Sequence, residues 1–380
     1  MEKIKRGLEG VPVCESTISY IDGKKGKLIY RGYKIEDLAL NSSFEEIAYL
    51  LWYKKLPNKK ELSKFTKKLR SQRKIDSSCY AIMKKGSRQT DSMDVLNTLT
   101  SYIAQSDPDL NDHSQEAVIR KATRLTAKFP TIVAAFWRIK NGKKPIPPKT
   151  NLDSGANFLH MLTGKISTPL QARAMEIDFI LTAEHGLNAS TFATMVSTAT
   201  ESDLHSSIVS GISTLKGPLH GAARRKVYEM LEDINSPKKA KQYILQKIKK
   251  HERIMGFGHR VYKSYDPRAR IFKDVVHLLA KESKNYKWYD ISIEIEKTIL
   301  KEFVEKKGKP IYPNVDFFTG AVYKYLQIPP QLTTGVFAMG RVPGWTAHIL
   351  EQSENNRLIR PKAIYIGRKS AKYIPIEKRK

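Results

Sequence analysis

Apolar residues recurring every three to four positions, punctuated by proline and glycine, run through most of the chain after residue 42. That period leaves room for little besides helices. Ser42-Ser43-Phe44-Glu45-Glu46 offers capping-box spacings ahead of Ile47, Leu50 and Leu51, with Pro57 as a stop. Val118, Ala122, Leu125 and Phe129 form another stripe, which Pro130 is expected to interrupt and Asn141-Gly142 to close. Thr168-Pro169 starts a helix carrying Leu170, Ala174, Ile177 and Leu181 that ends at Glu184-His185-Gly186. Gly217-Pro218 breaks the next run, Ser236-Pro237 opens a helix with a basic surface, and Asp290 to Val304 is helical again. Pro329-Pro330 reads as a hinge or domain return. The exception is Thr17 to Tyr30, which alternates apolar and polar residues around Asp22-Gly23 and Gly26, as a small hairpin does.

One loop gathers unusual chemistry. Gly256 to Arg270, GFGHRVYKSYDPRAR, holds a histidine, four arginines or lysines and a helix start. Gly256 and Gly258 free the backbone to approach a ligand closely. Asp266 reads as the N-cap and Pro267 as the first helical residue, with Ile271, Val275 and Leu279 behind them. Arg268 then lies in the first turn, beside N–H groups that favour an anion. A carboxylate or phosphate would suit this place; a solvated basic loop is the alternative.

Composition narrows the class. A chain of 380 residues with 41% hydrophobic and 28% charged residues suits a soluble globular protein, expected as two domains. The net charge of +29 raises nucleic acid as a partner. The lysines, however, fall in short pairs such as Lys54–Lys55, Lys67–Lys68 and Lys249–Lys250, at helix ends or polar faces. No zinc-finger spacing, basic zipper or aromatic platform accompanies them, so a solvated surface is expected and no nucleic-acid partner. No apolar run reaches membrane-spanning length, and MEKIKRGLEG lacks the apolar core of a secretory signal; a cytoplasmic home is expected and no membrane partner. Cys14 and Cys79 have no metal-ligand spacing and read as small buried or half-buried side chains.

Four stretches put an ionisable group beside a glycine or proline break: AEHGLNAST (183–191), LKGPLHGAA (215–223), MGFGHRVYKSYDPRAR (255–270) and IYPNVDFFTG (311–320). FAMGRVPGW (337–345) and NRLIRPKAIYIG (356–367) add arginines. Histidine at three glycine-rich turns suits a site that grips a polar substrate. Gly256-x-Gly258 lacks the third glycine and the preceding strand of a dinucleotide fingerprint. Together with the opening GLEGVPVCESTISYIDGKKGKLIYRGY and FEEIAYLLWYKKLP, these ordered motifs resemble the citrate synthase family across essentially the whole chain, at the shorter prokaryotic length.

The resemblance implies a mainly α, two-domain helical fold: a large domain of residues 1–221 to which 328–380 return, and a smaller mobile domain of 222–327. It implies condensation of acetyl-coenzyme A with oxaloacetate, then thioester hydrolysis to citrate and coenzyme A, with no cofactor and no metal. A methyl beside a thioester is a poor acid, so a carboxylate must take its proton while a donor stabilises the oxygen that gains charge. By motif, Asp316 would be the base, His220 the donor to the thioester oxygen, and His259 the donor to the oxaloacetate carbonyl. Arg268 and Arg341, with His185, would hold the two carboxylates of oxaloacetate. Arg360 would reach the site from the neighbouring subunit of a homodimer. Ile254, Met255, Gly256, Phe257, Gly258 and Lys263 would contact coenzyme A, Lys263 through a phosphate.

The chain departs from the family's usual pattern at three places. Arg224 and Arg225 follow the GPLHG motif where asparagine is common, Gly340 stands where serine is common, and Asp91 to Asn97 lacks a histidine and an arginine. Taken singly, His185 and His220 read as core histidines, Asp316 as a helix cap, and Arg341 and Arg360 as surface arginines. His113, His160, His205, His251, His277 and His348 match no motif and read as structural. Three alternatives stay open at this level: 2-methylcitrate synthase acting on propionyl-coenzyme A, a metal site of His220, His259 and Asp316, and a basic nucleic-acid-binding protein.

Overall fold

A three-stranded antiparallel sheet precedes the first α-helix. In the computed structural model, which describes residues 4–86 and 89–379, it comprises β1 (Ser19–Asp22), β2 (Lys27–Tyr30) and β3 (Tyr33–Lys34). Ser19 pairs with Tyr30 and Asp22 with Lys27, and the Asp22 carboxylate accepts the turn amides of Lys24 and Lys25, both at 3.0 Å. The hairpin predicted from the alternation is therefore present, with a short third strand added.

Sixteen α-helices follow among the described residues. They begin with α1 (Ile35–Asn41), α2 (Phe44–Tyr53), α3 (Lys59–Ser71), α4 (Ser77–Lys85), α5 (Ser92–Ala104) and α6 (Gln115–Lys140). Next come α7 (Ser154–Thr163), α8 (Pro169–Ala183), α9 (Ala189–Thr198), α10 (Leu204–Lys216) and α11 (Ala223–Ile234). The last are α12 (Pro237–Lys249), α13 (Pro267–Ser283), α14 (Lys287–Ile299), α15 (Val315–Tyr325) and α16 (Thr333–Glu354). Side-chain caps start most of those that matter here. Thr168 and Gln171 form a reciprocal capping box on α8, while Asn188, Asp203, Asp266 and Asn314 accept first-turn amides of α9, α10, α13 and α15. Ser43 caps α2 through the amide of Glu46.

Pro130 does not interrupt its helix. The 26 residues of α6 continue through it, and Pro130 is buried. A proline inside a helix costs about 3 kcal/mol, and α6 recovers that by packing on α3, α4, α5, α7, α10 and α16 at once. Cys79 is buried as expected, whereas Cys14 is exposed, because it precedes the sheet in a segment that no helix covers.

Helices α11 to α15 pack chiefly on one another, touching the rest through α1, α8 and α16. Helix α16 also lies against α8, and glycine sets the closeness of that contact. A Cβ on Gly340 would lie 2.2 Å from Thr182 Oγ1, and one on Gly344 would lie 2.0 Å from the Ala183 carbonyl oxygen. Glycine at both positions is thus demanded by the packing. No described helix is long and apolar enough to cross a membrane. Beyond Glu354 the chain runs without α-helix along the surface, with Ile366 93% and Tyr373 78% exposed.

Gly344→Ala should therefore force α16 away from α8 and destabilise the protein by about 3 kcal/mol, at the upper end of overpacking penalties. The urea midpoint would fall; an unchanged midpoint would show that the two helices separate freely.

Candidate active site

Helix α8 stops where Glu184 turns extended, and the next residue is His185. Glu184 is fully buried and accepts from Ser19 Oγ at 2.9 Å and from His348 Nε2 at 3.1 Å, while its carbonyl accepts Tyr30 Oη at 2.7 Å. Burial alone would raise its pKa, but His348 and Arg341 outweigh that and lower it. His185 is thereby locked in place. Its Nε2 lies 3.3 Å from Tyr262 Oη, and its ring meets His259 edge-on at 5.2 Å. Burial, then the Arg268 charge, holds the His185 pKa well below the usual 6.5.

The loop before α13 takes the backbone form its glycines allow: Gly256 has φ 83° and Gly258 φ 77°. A side chain on Gly256 would strike Phe317, whose Cβ would be 2.8 Å away. The loop pairs with the segment leading into α15, since Gly258 N donates to Tyr312 O and Asn314 N to Gly256 O, both at 2.9 Å. His259 and Asp316 therefore ride on one joined unit. The amides of Val261 and Tyr262 donate to His259 Nδ1 at 3.0 and 3.1 Å. An amide only donates, so Nδ1 is bare and the proton sits on Nε2.

His220 is fixed by the same device with the other nitrogen. Ser190 N donates to His220 Nε2 at 3.3 Å and Ser190 Oγ lies 2.9 Å from it, leaving the proton on Nδ1. Trp345 Nε1 donates to Ser190 Oγ at 3.2 Å and steadies that contact. Burial pushes both imidazoles down to a pKa of about 4, assisted at His220 by Arg341 and at His259 by Arg268. The site thus holds two neutral imidazoles, each with one N–H directed away from a filled acceptor.

Three guanidinium groups surround them. Arg268, in the first turn of α13, bonds Asp266 through Nε at 3.0 Å and Nη2 at 2.8 Å. Asp266 also accepts Val315 N at 3.1 Å, so its carboxylate ties the start of α13 to the start of α15. Arg341 is 1% exposed, donates to Thr182 O at 2.6 Å, and among the described residues has no ion-pair partner. Burial lowers its pKa to about 10, with Arg268 and Arg224 adding to the effect against Glu184 and Tyr30. A buried cation in this condition calls for an anion. Arg224, from the first turn of α11, lies 4.7 Å from the Phe337 ring, and Arg341 lies 4.8 Å from the same ring.

Asp316 does not cap α15; Asn314 does, accepting Asp316 N at 3.0 Å. The Asp316 carboxylate instead accepts Arg224 Nε at 3.1 Å. Nor is Arg341 a surface residue. Ile254, Met255, Phe257 and Gly258 are half-buried and Gly256 buried in the loop, while Lys263 is exposed at its outer edge. Arg360 is exposed on the C-terminal segment, and this single chain does not bring it to the others. Among the described residues no three histidine, cysteine, aspartate or glutamate side chains come together as metal ligands, so His220, His259 and Asp316 do not form the alternative metal site. A cavity of about 400 Å³ lined by His113, Lys121, Glu201 and Asn356, among others, shares no residue with the site.

Sequence reasoning did not find Glu184, Tyr262, Ser190, Trp345, Asp178 or His348 as supporting residues. Ser190 lies within the AEHGLNAST stretch, where the helix-start spacing after Asn188 was a usable signal. His348 had none, because its partner Glu184 is 164 residues away.

The family model for the citrate synthase C-terminal domain matches residues 7–362. The chain is 42% identical to the citrate synthase of Haloferax volcanii over 382 residues, covering 99% of each. It is 39% identical to the 2-methylcitrate synthase of Mycobacterium tuberculosis over 364 residues, 96% of this chain and 91% of that one. Among solved structures, it is similar to the citrate synthase of Thermoplasma acidophilum in a ternary complex with carboxymethyl coenzyme A and oxaloacetate. That likeness has a TM-score of 0.92 and 34% identity, with 100% of both chains covered.

The depressed histidines set a pH dependence. Unfolded, His220 and His259 take up protons near the usual 6.5; folded, only near 4. The unfolded state therefore binds more protons in that window, and stability falls as pH drops through it. Nitrogen-15 spectra of labelled histidine should show both rings neutral from about pH 8 to 5, His259 protonated at Nε2 and His220 at Nδ1. Titration of either near 6.5 would contradict the geometry.

Proposed function

The chain belongs to the citrate synthase family of acyltransferases, and from that premise we propose that it condenses acetyl-coenzyme A with oxaloacetate, using the residues gathered around His259. The observation that carries this reading is the pair of neutral imidazoles whose acceptor nitrogens are already filled. Each presents a fixed N–H donor to an oxygen that gains charge, with no reorganisation during the reaction.

Asp316 removes a proton from the methyl of acetyl-coenzyme A while His220 Nδ1–H donates to the thioester oxygen. The resulting enol carbon attacks the ketone of oxaloacetate, whose oxygen takes a proton from His259 Nε2. Water then cleaves the thioester of the citryl intermediate, releasing citrate and coenzyme A. Arg341, buried without a protein carboxylate, and Arg268 hold the substrate carboxylates beside His185. The segment Ile254–Gly258 receives coenzyme A, with Lys263 at its edge for a phosphate. The reaction as written draws on no metal or cofactor.

Residues 222–327 act as a smaller unit that closes over the substrates and excludes water. The protein works as a cytoplasmic homodimer in which Arg360 completes the partner's site. The exposed apolar side chains of the C-terminal segment, Ile366 and Tyr373 among them, support such a contact. Propionyl-coenzyme A is the second candidate substrate, because one methylene is worth only about 1–3 kcal/mol in an apolar pocket.

Thiol release from acetyl- and propionyl-coenzyme A, with and without oxaloacetate, tests the reading. Oxaloacetate-dependent release with acetyl-coenzyme A should fall about 10²–10⁴-fold in Asp316→Asn. Faster release with propionyl-coenzyme A would make the 2-methylcitrate reaction the main one, and no release with either would remove the catalytic assignment. Mixing and reassembling Asp316→Asn with Arg360→Ala should regenerate activity, because only the hybrid has one site with both groups intact. Absence of recovery would place Arg360 outside the partner's site.

A further inference from the structure

Arg224 is the most heavily engaged side chain near the proposed base. Four residues after His220, it enters from the first turn of α11 and is 1% exposed. Its Nη1 donates to Asp178 Oδ1 of α8 at 2.8 Å and to Tyr323 Oη at 2.6 Å, and Tyr323 donates on to Asp178 Oδ2 at 2.7 Å. Its Nε donates to Asp316 Oδ1 at 3.1 Å. The face of the guanidinium lies against Phe337. Asp316 and Tyr323 sit two turns apart on α15, so both grip the same planar group.

We propose that Arg224 is a positioning residue for the condensation: anchored by Asp178 and Tyr323, it holds Oδ1 of Asp316 and leaves Oδ2 to meet the acyl methyl. The inference rests on Asp316 being the base. A carboxylate on a helix start swings about two torsions, and proton removal from carbon demands one pose. The guanidinium supplies a rigid fork with separate edges for its two carboxylates. Asp178 is fully buried, where burial pushes its carboxyl up, and Arg224 opposes that push. Arg224 from α11 is thus bonded to Asp316, Asp178 from α8 acts on it through charge, and Tyr323 reaches it only through Arg224; Arg341 of α16 shares the Phe337 ring with Arg224. One short segment, Gly217 to Arg224, thereby delivers both the donor for the thioester oxygen and the guide for the base.

Removing Arg224 alone would strand Asp178 as a buried charge, so two variants are needed. Arg224→Lys keeps the charge without the fork; Arg224→Met combined with Asp178→Asn removes both charges together. Each is measured beside the wild type and Asp316→Asn for kcat, KM and the deuterium isotope effect with trideuterated acetyl-coenzyme A. We expect the double variant to lose about 10–100-fold in kcat, with KM for both substrates within about threefold and a larger isotope effect, as proton removal becomes slower. Arg224→Lys should recover part of the loss. Folded variants with an unchanged isotope effect, whatever their kcat, would overturn the proposal and leave Arg224 a packing residue. If Asp316→Asn loses activity in that case, the base assignment survives alone. Turnover by Asp316→Asn at the wild-type rate would sink both.

Discussion

Three guanidinium groups, Arg224, Arg268 and Arg341, are buried beside one another, and protein carboxylates match only two of them. Asp178 and Asp316 answer Arg224, and Asp266 answers Arg268. Arg341 has a backbone carbonyl and an aromatic ring. Taking an ion out of water costs several kcal/mol even after relaxation. The fold carries that cost at the place where a dianionic substrate would repay it. The same excess of positive charge, together with burial, keeps the three histidines neutral. A preference for anions and the protonation state of the histidines therefore have one cause.

Precision at the site comes from backbone groups and short carboxylate links. His220 and His259 each receive main-chain amides on one nitrogen, so neither tautomer depends on a mobile side chain alone. Asp266 joins the starts of α13 and α15, and the paired loops at Gly256–Gly258 and Tyr312–Asn314 keep His259 and Asp316 in step. The amide of Lys263 donates to Gly23 O at 2.9 Å, which sets the small sheet against the His259 loop. Glu184 reaches the same sheet through Ser19.

Much of this was legible in the sequence because it is local. Helix starts at Thr168, Ser43 and Asp266 are written in neighbouring residues, and the hairpin is written in its alternation. The motifs at His185, His220, His259, Arg268, Asp316 and Arg341 marked residues that the fold draws into one region. The rest depends on contacts far apart in the chain. Nothing near Pro130 tells that six helices will pack on α6 and keep it unbroken, and nothing near His348 points to Glu184. Arg224 could be seen as a departure, but its partners Asp178 and Asp316 are 46 and 92 residues away. Gly340 explains itself only once α8 lies against it.

On the proposed reaction, the buried Arg341 has one role, to receive a substrate carboxylate. Its most direct test compares thermal unfolding of the wild type and Arg341→Met, each with and without oxaloacetate. The wild type should gain about 2.7 kcal/mol at a hundredfold excess over Kd. Arg341→Met should gain little, yet be no more than about 1 kcal/mol less stable than the wild type when unliganded, because relief of a buried charge without an ion-pair partner offsets the loss of its attraction for Glu184. A variant that is strongly destabilised alone but still stabilised by oxaloacetate as the wild type is would contradict the account, since Arg341 would then serve the fold and not the ligand.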